Sequence, residues 1–159
     1  MDKERRRFLR SGLSLPILAT LVRFGVVPAA AAGLDLEPWP REAFAVKGVE
    51  EALQALYGEL ARRQDPRVRI RAEDLVENGA VVPIRIEADL PGVSEIALLA
   101  EKNPVPLQGR FRLAPGMEGF IATRVKLAES GRVFAVVCAE DGLHVAHKDI
   151  EVTIGGCGG

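Results

Sequence analysis

The chain has 159 residues, of which 48% are hydrophobic and 27% are charged. This length and balance are typical of one globular domain, and they exclude an intrinsically disordered chain. The net charge of −1 hides an asymmetry, because residues 1–32 hold six Lys/Arg and two Asp/Glu, whereas residues 33–159 hold 15 and 20. An acidic body without a basic stripe in its sequence argues against nucleic-acid binding.

Residues 1–32 have the pattern of an export signal. The basic stretch "ERRRFLRSG" precedes the apolar stretch "LSLPILATLVRFGVVPAAAAG", which ends in small residues. Its apolar part is too short and too broken, by Pro16 and Arg23, for a transmembrane helix. The segment "RRRFLR" resembles the twin-arginine export pattern, which we assign to Arg5, Arg6, Phe8 and Leu9. We therefore predict a twin-arginine signal and a periplasmic mature protein, with an ordinary Sec signal as the alternative.

Residues 33–63 are predicted to form an N-terminal extension that contains one short helix. Pro38 and Pro40 are expected to prevent regular structure around them. Further on, apolar side chains recur at helical spacing and form one stripe, at Val49, Leu53, Leu56 and Tyr57. Gly58 is one end that the sequence offers this helix, with a further turn over Glu59–Arg63 as the alternative. We expect the stripe to pack on the main domain rather than to bind a ligand.

Residues 64–154 change to a period of two. Alternating stretches such as "VRIRAE", "VVPIRIEAD", "GRFRLA", "FIATRVKLA" and "GRVFAVVCAE" are separated by turn signals such as "LPG", "APG" and "EDG". Seven or so short strands at this spacing predict an all-β domain, either an antiparallel β-sandwich or a barrel. Pro83 lies inside one of these strands and predicts an edge strand or a bulge there.

The two cysteines are predicted to remain unpaired. A tight hairpin after "VVCAE" would place Cys138 opposite about Val145, and Cys157 lies a further dozen residues along the chain. A straight strand of that length spans ~40 Å, whereas a disulfide needs Cα atoms within ~7 Å. We interpret Cys138 as a small buried hydrophobe. Cys157 is then a free thiol, on a tail that we expect to be flexible because of Gly155, Gly156, Gly158 and Gly159.

The body of the chain offers no convincing catalytic or metal site to sequence reasoning. His144 and His147 are three residues apart, which on a strand puts them on opposite faces, so a shared metal is not expected. We interpret both as surface or turn histidines, and we predict no catalytic residue, no metal and no cofactor in this chain.

The ending "GGCGG" leaves three interpretations open. In the first, the chain carries a sulfur species covalently on the Cys157 thiol, and the glycines make the tail slim and flexible. In the second, the terminal Gly-Gly carboxylate is activated as in ubiquitin-like carriers, a role that export disfavours. In the third, the chain is an exported β-sandwich interaction module with an incidental tail.

The combination of "GGCGG" with the body resembles the SoxY family, the sulfur-compound carrier subunits of the periplasmic thiosulfate-oxidising (Sox) system. The similar stretches are "ENGAVVPIRIEADLPGVSEIALLAEKNPVPL" and "FIATRVKLAESGRVFAVVCAEDG", within residues 77–142. The resemblance implies an immunoglobulin-like sandwich that pairs with a SoxZ-like subunit and has no turnover of its own. It also implies that a c-type haem enzyme conjugates Cys157 oxidatively to thiosulfate, that a hydrolase then releases sulfate, and that in some systems a dehydrogenase oxidises the remaining sulfane sulfur. Haem and metals would belong to these partners.

Overall fold

The computed structural model describes residues 39–154, so the predicted export signal and the predicted arm at 155–159 lie outside the described residues. Two short helices come first, α1 (Arg41–Ala45) and α2 (Val49–Tyr57). Nine strands follow: β1 (Arg62–Gln64), β2 (Val68–Arg71), β3 (Leu75–Asn78), β4 (Val82–Ala88), β5 (Glu95–Ala100), β6 (Leu107–Arg112), β7 (Gly119–Val125), β8 (Gly131–Ala139) and β9 (Gly142–Ile154). Within this range no helix is long and apolar enough to cross a bilayer.

The strands form two sheets packed face to face. The larger sheet has the order β1-β9-β8-β5-β6, with β3 also paired to β9, and the smaller sheet has the order β2-β4-β7. This is the all-β immunoglobulin-like sandwich with a short N-terminal helix that the sequence analysis expected. One feature differs from an antiparallel sandwich, because the short strands β1 and β3 both pair with β9 in parallel.

The main core lies between the two sheets, and strand β4 shows why it forms there. Val82, Ile84 and Ile86 are at most 1% exposed, whereas Pro83 and Arg85 between them point to solvent. Alternation of this kind follows from the two-residue period of a strand. Each fully buried Val or Ile side chain contributes about 1.5–3 kcal/mol of hydrophobic stabilisation. Facing them from the larger sheet are Ile96, Leu98, Val133, Ala135, Val137 and Ile150.

A second core lies on the opposite face of the larger sheet, where both helices pack. Leu53 of α2 is buried against Ala97 and Leu99 of β5 and Val136 of β8. Strand β5 is therefore covered on both faces, which explains why its sequence "EIALLA" does not alternate and is buried throughout. The predicted packing of the helical stripe on the main domain is confirmed, since the stripe residues all belong to this cluster.

The end of helix α2 agrees with the prediction from sequence, whereas the start of helix α1 contradicts it. Helix α2 ends at Gly58, whose φ of +63° favours glycine and whose N–H donates to the Gln54 carbonyl at 2.8 Å. The expectation of irregular structure around the prolines was wrong after Pro40, where α1 begins at Arg41. Proline is tolerated at the start of a helix because the first N–H groups have no intrahelical acceptor.

The expected place of Pro83 in an edge strand was also wrong. Strand β4 is the central strand of the smaller sheet, with β7 on one side and β2 on the other. The pairing with β2, however, covers only Arg85–Ala88, so Pro83 lies beyond the end of β2. A proline is accommodated there because its missing N–H leaves no gap in the β2–β4 ladder.

The β8–β9 hairpin turns one residue earlier than the sequence suggested. Ala139 pairs with Gly142, so the two-residue loop is Glu140-Asp141, and Cys138 pairs with Leu143 rather than with Val145. Shifting the centre of a hairpin by one residue moves every cross-strand partner by two.

Candidate functional site

The predicted attachment residue Cys157 and its glycines (Gly155, Gly156, Gly158 and Gly159) lie outside the described residues, as do the signal residues Arg5, Arg6, Phe8 and Leu9. The described residues end at Ile154, which directly precedes the predicted arm. Ile154 is the last residue of β9 and its side chain is 63% exposed. Cys157 follows three residues later, a distance that extended chain covers in ~10 Å.

Hydrogen bonds from two sides fix the end of β9. On one side, the Gly79 N–H donates to the Ile154 carbonyl at 2.9 Å, and the Thr153 hydroxyl donates to the Glu77 carbonyl at 2.9 Å. On the other, the Val152 N–H donates to the Ser130 hydroxyl oxygen at 2.9 Å. The chain that leads to Cys157 therefore starts from a residue whose backbone is held by the sandwich.

Cys138 lies far from that point. It is a free, half-buried thiol on the face covered by the helices, where it packs at the margin of the second core. It pairs with Leu143, which is eleven residues before Ile154 on β9, so ~36 Å of strand separates the two. The interpretation of Cys138 as a small apolar residue agrees with this packing, although the side chain is less buried than expected.

A buried carboxylate lies beneath helix α2. Glu95 is 6% exposed and accepts a hydrogen bond from the Tyr57 hydroxyl at 2.8 Å. Its Oε2 lies 2.7 Å from Nη2 of Arg110 and 3.9 Å from Nε of Arg112. Burial, followed by the negative charge of Glu95, raises the pKa of Tyr57, so Tyr57 remains a donor. The cluster thus ties α2 to strands β5 and β6 through one charge network.

A second buried polar cluster surrounds His144 at the start of β9. The His144 ring is fully buried, with Nδ1 2.7 Å from Oδ2 of Asp65 and Nε2 2.7 Å from Oδ1 of Asp141. Arg63 approaches the same ring nitrogens at 3.2 and 3.4 Å and pairs with Asp141. Ionised carboxylates only accept hydrogen bonds. The two 2.7 Å contacts to Asp65 and Asp141 are therefore both hydrogen bonds when both ring nitrogens carry protons. The cluster joins β1 and the β1–β2 loop to the β8–β9 turn.

The interpretation of both histidines as surface or turn residues was therefore wrong for His144. Leu143 and Val145 on either side of it pack in the second core, so His144 points the other way. His147 is exposed and lies on the helix-covered face, 6.0 Å from the Phe134 ring between centroids. The two histidines do lie on opposite faces of β9, as their spacing predicted.

Replacing Asp141 with asparagine is expected to make the free energy of unfolding fall less steeply as the pH is lowered into the acid range. The hydrogen bond from His144, followed by the positive charge of Arg63, lowers the pKa of Asp141 below its ordinary 3.8. A depressed folded pKa contributes stability that is complete above 3.8 and is lost as the pH falls through the folded value. Between the folded pKa of Asp141 and 3.8, the wild type should take up as many as about one more proton on unfolding than Asp141→Asn.

Urea unfolding, measured at intervals between pH 6 and the acid limit of the folded state, gives the slope of the free energy of unfolding against pH, which reports the number of protons taken up. Asp149→Asn is the matched control, because Asp149 is exposed on β9 and its carboxylate bonds to no other described side chain. Identical slopes for wild type and Asp141→Asn would show that the His144 cluster does not stabilise the fold through Asp141.

Family comparison identifies the chain. A family model described as "Sulfur oxidation protein SoxY" matches residues 53–157, which is more than half of the chain. The chain belongs to the SoxY family. The resemblance seen in the sequence is thereby confirmed, and the matched range runs from helix α2 through the sandwich to Cys157.

Solved structures agree with membership of the SoxY family. The sulfur carrier protein SoxY from Chlorobium limicola f thiosulfatophilum superposes with a TM-score of 0.61 and 28% identity, covering 66% of this chain and 96% of that chain. A superoxide reductase (neelaredoxin) from Ignicoccus hospitalis has a TM-score of 0.52 and 24% identity, covering 60% and 98%. At that identity the second likeness shows a shared fold alone. No curated protein matches the chain.

Sequence reasoning missed both buried polar clusters of this SoxY-family chain. Glu95 gave a weak signal, since it is a lone acid at the start of the apolar stretch "IALLA". Nothing in the sequence pairs Asp65 with His144, which are 79 positions apart and meet only because β1 lies beside β9.

Proposed function

We propose that this chain is the covalent carrier of sulfur intermediates in thiosulfate oxidation, with the substrate attached to Cys157. The observation that carries the proposal is that the SoxY family match extends to residue 157 and so includes this cysteine. The similarity to the sulfur carrier protein SoxY supports the same role. Family membership is consistent with a non-catalytic chain that serves other proteins of the sulfur-oxidation system.

The chemistry that we propose for Cys157 is a cycle of disulfide-like bonds. In loading, the thiol and thiosulfate join through a new S–S bond, with loss of one proton and of two electrons that pass to a c-type haem enzyme. In release, water attacks the terminal sulfonate sulfur, so that sulfate leaves and a persulfide stays on Cys157. A dehydrogenase then oxidises this sulfane sulfur in systems that have one. The carrier needs no haem or metal of its own for these steps.

The described end of β9 and the sequence beyond it support a proposal for how the carrier presents its thiol. We propose that the sandwich holds Ile154 as a fixed base, from which the five residues 155–159 extend into a partner's active site. Glycines on both sides of Cys157 keep this segment free of side chains that would obstruct a narrow channel. We further propose a twin-arginine signal in residues 1–32, a periplasmic location and a heterodimer with a SoxZ-like subunit.

Mass spectrometry of intact protein purified from thiosulfate-fed cells tests the attachment site directly. We expect thiosulfate and sulfane-sulfur adducts confined to the peptide that contains Cys157. Adducts on Cys138, or none at all, would contradict the proposal. The interaction-module alternative predicts that no adduct forms.

Replacing Gly155 and Gly156 together with leucine is expected to lower the rate of enzymatic transfer by about tenfold or more. The added side chains would obstruct entry of the arm, and small displacements of a reacting group cost large factors in rate. Alkylation of the thiol by iodoacetamide should proceed at the wild-type rate, because a small reagent needs no channel. Transfer at the wild-type rate would show that slimness of the arm is irrelevant.

A further inference from the structure

The outer face of the smaller sheet is exposed and rich in arginine. Side chains on β2, β4 and β7 alternate between the core and solvent, with Ile84, Ile86 and Ile121 buried. The side chains between the buried ones point outward. We call these positions the arginine face, and they are Arg69, Arg71, Pro83, Arg85, Glu87, Phe120, Ala122 and Arg124.

The arginine face has the opposite charge to the rest of the described chain. It holds four arginines and one glutamate, a net of +3. Residues 39–154 contain 15 Lys/Arg and 18 Asp/Glu, so the remainder holds 11 and 17, a net of −6. The basic stripe that is missing from the sequence is thus assembled by the sheet from three separate strands.

The charges of this face are incompletely neutralised by the fold. Glu87 serves both Arg69 and Arg71, with Nε–Oε2 distances of 3.4 and 3.2 Å. Arg85 lies directly opposite Arg71 in the register, an arrangement of like charges that destabilises a sheet. Arg85 and Arg124 make no ion pair with any side chain among residues 39–154. Folding alone therefore gives no reason for these two charges.

A groove of about 410 Å³ lies between the two arginines that lack ion pairs. In the β4–β7 register, Pro83 pairs with Arg124 and Arg85 pairs with Ala122, so the two arginines are diagonal neighbours. The small side chains of Pro83 and Ala122 occupy the other two positions and leave space between the guanidinium groups. Phe120 on the same face is 46% exposed. Exposed arginine beside an exposed aromatic ring is the composition of many protein interfaces.

One edge of the arginine face, at Pro83 and Arg124, lies near the end of the sandwich where the arm begins. The Gly79 N–H donates to the Ile154 carbonyl, and the Gly79 carbonyl accepts from the Leu127 N–H at 2.8 Å. Arg124 lies three residues before Leu127, and Pro83 lies four residues after Gly79, so each is within ~14 Å of this junction. A protein that bound the arginine face would be adjacent to the base of the arm.

We propose that the arginine face docks the acidic surface of an enzyme that acts on the sulfur group at Cys157. This inference rests on the proposed carrier function and names the chemistry by which the enzyme recognises the carrier. Exposed charges increase the rate of association more than the lifetime of a complex. Such docking suits a carrier that must leave one enzyme before it visits the next. A nucleic acid is the less favoured occupant, since Glu87 lies in the middle of a face only three strands wide.

The test is the double variant Arg85→Glu/Arg124→Glu, assayed as the substrate of the thiosulfate-conjugating enzyme. At low ionic strength we expect kcat/KM to fall about tenfold or more, with kcat at saturating carrier retained. In 1 M salt, where the Debye length is about 3 Å, the variant and the wild type should converge. The matched control is Arg41→Glu/Lys47→Glu, which changes net charge equally on exposed positions of the helical layer and should keep the wild-type kcat/KM.

Four results would overturn the proposal: an unchanged kcat/KM at low salt, an equal fall in the control, loss of the SoxZ-like subunit from the purified variant, and DNA-oligonucleotide binding that the variant abolishes while enzyme binding is unaffected. Failure of the carrier function is recognised separately, by wild-type turnover of Cys157→Ser. In that case surface plasmon resonance of the same enzyme on immobilised wild type and double variant still decides whether the arginine face docks it.

Discussion

Replacing Cys157 with serine is expected to abolish thiosulfate-dependent turnover in the reconstituted system. A serine hydroxyl cannot form the S–S bond by which we propose that the substrate is held, and it is a far weaker nucleophile than a thiolate at neutral pH. Residual activity should therefore lie at the background of the assay without carrier. Electron transfer to the haem enzyme, measured as thiosulfate is added, is the direct readout.

Cys138→Ser is the matched control for this experiment. It replaces the other cysteine of the chain, a half-buried thiol that pairs with Leu143 at the far end of β9 from Ile154. We expect it to support turnover at the wild-type rate. Full activity of Cys157→Ser, or a dead Cys138→Ser that unfolds at the wild-type urea concentration, would remove the carrier assignment from Cys157.

Replacing Glu95 with glutamine is expected to have the largest effect on stability, about 3 kcal/mol. The substitution keeps the size of the side chain and removes the charge that Arg110 faces at 2.7 Å in a site where Glu95 is 6% exposed. Removing one partner of a buried ion pair leaves the other desolvated without its counter-charge, which typically costs 3–5 kcal/mol. We take the lower end because the Arg110 side chain is itself 22% exposed. The midpoint of urea unfolding at constant m value measures the loss.

Glu101→Gln is the control for Glu95, because it breaks a pair of similar geometry at the surface. Glu101 lies 3.0 Å from Arg132, and both side chains are about a third or more exposed, so we expect little change. If Glu95→Gln does not fold, Tyr57→Phe removes only the hydroxyl that donates to Glu95 and should cost about 1 kcal/mol. Equal midpoints for Glu95→Gln and Glu101→Gln would show that burial of the pair is energetically unimportant.

Prediction from sequence succeeded where the signal was local and periodic. The two-residue alternation of "VPIRIEA" specifies which face of β4 is buried whatever its neighbours are, and four-residue spacing specifies the apolar stripe of α2 in the same way. The turn at Gly58 was predictable because its φ of +63° is one that glycine adopts readily.

Prediction failed where a property depends on which elements become neighbours. Helix α1 follows Pro40 and packs Ala43 and Phe44 in the second core, a contact that no local pattern revealed. Strand β1 has only three residues and an exposed pattern, so it was recognisable only through its parallel pairing with β9. That pairing in turn brings Asp65 to His144 and buries a histidine that looked like a surface residue.

The sequence by itself determined the all-β class, the family resemblance and the thiol on which the proposed chemistry depends, because alternation, turns and the ending "GGCGG" are properties of short stretches. Only the tertiary structure decided that Glu95 and His144 are buried within charge networks, that the sandwich holds the backbone of Ile154 by a hydrogen bond, and that arginines of three strands share one face. Each of these needs contacts between residues far apart in the chain, and register between strands, which no short stretch of sequence encodes.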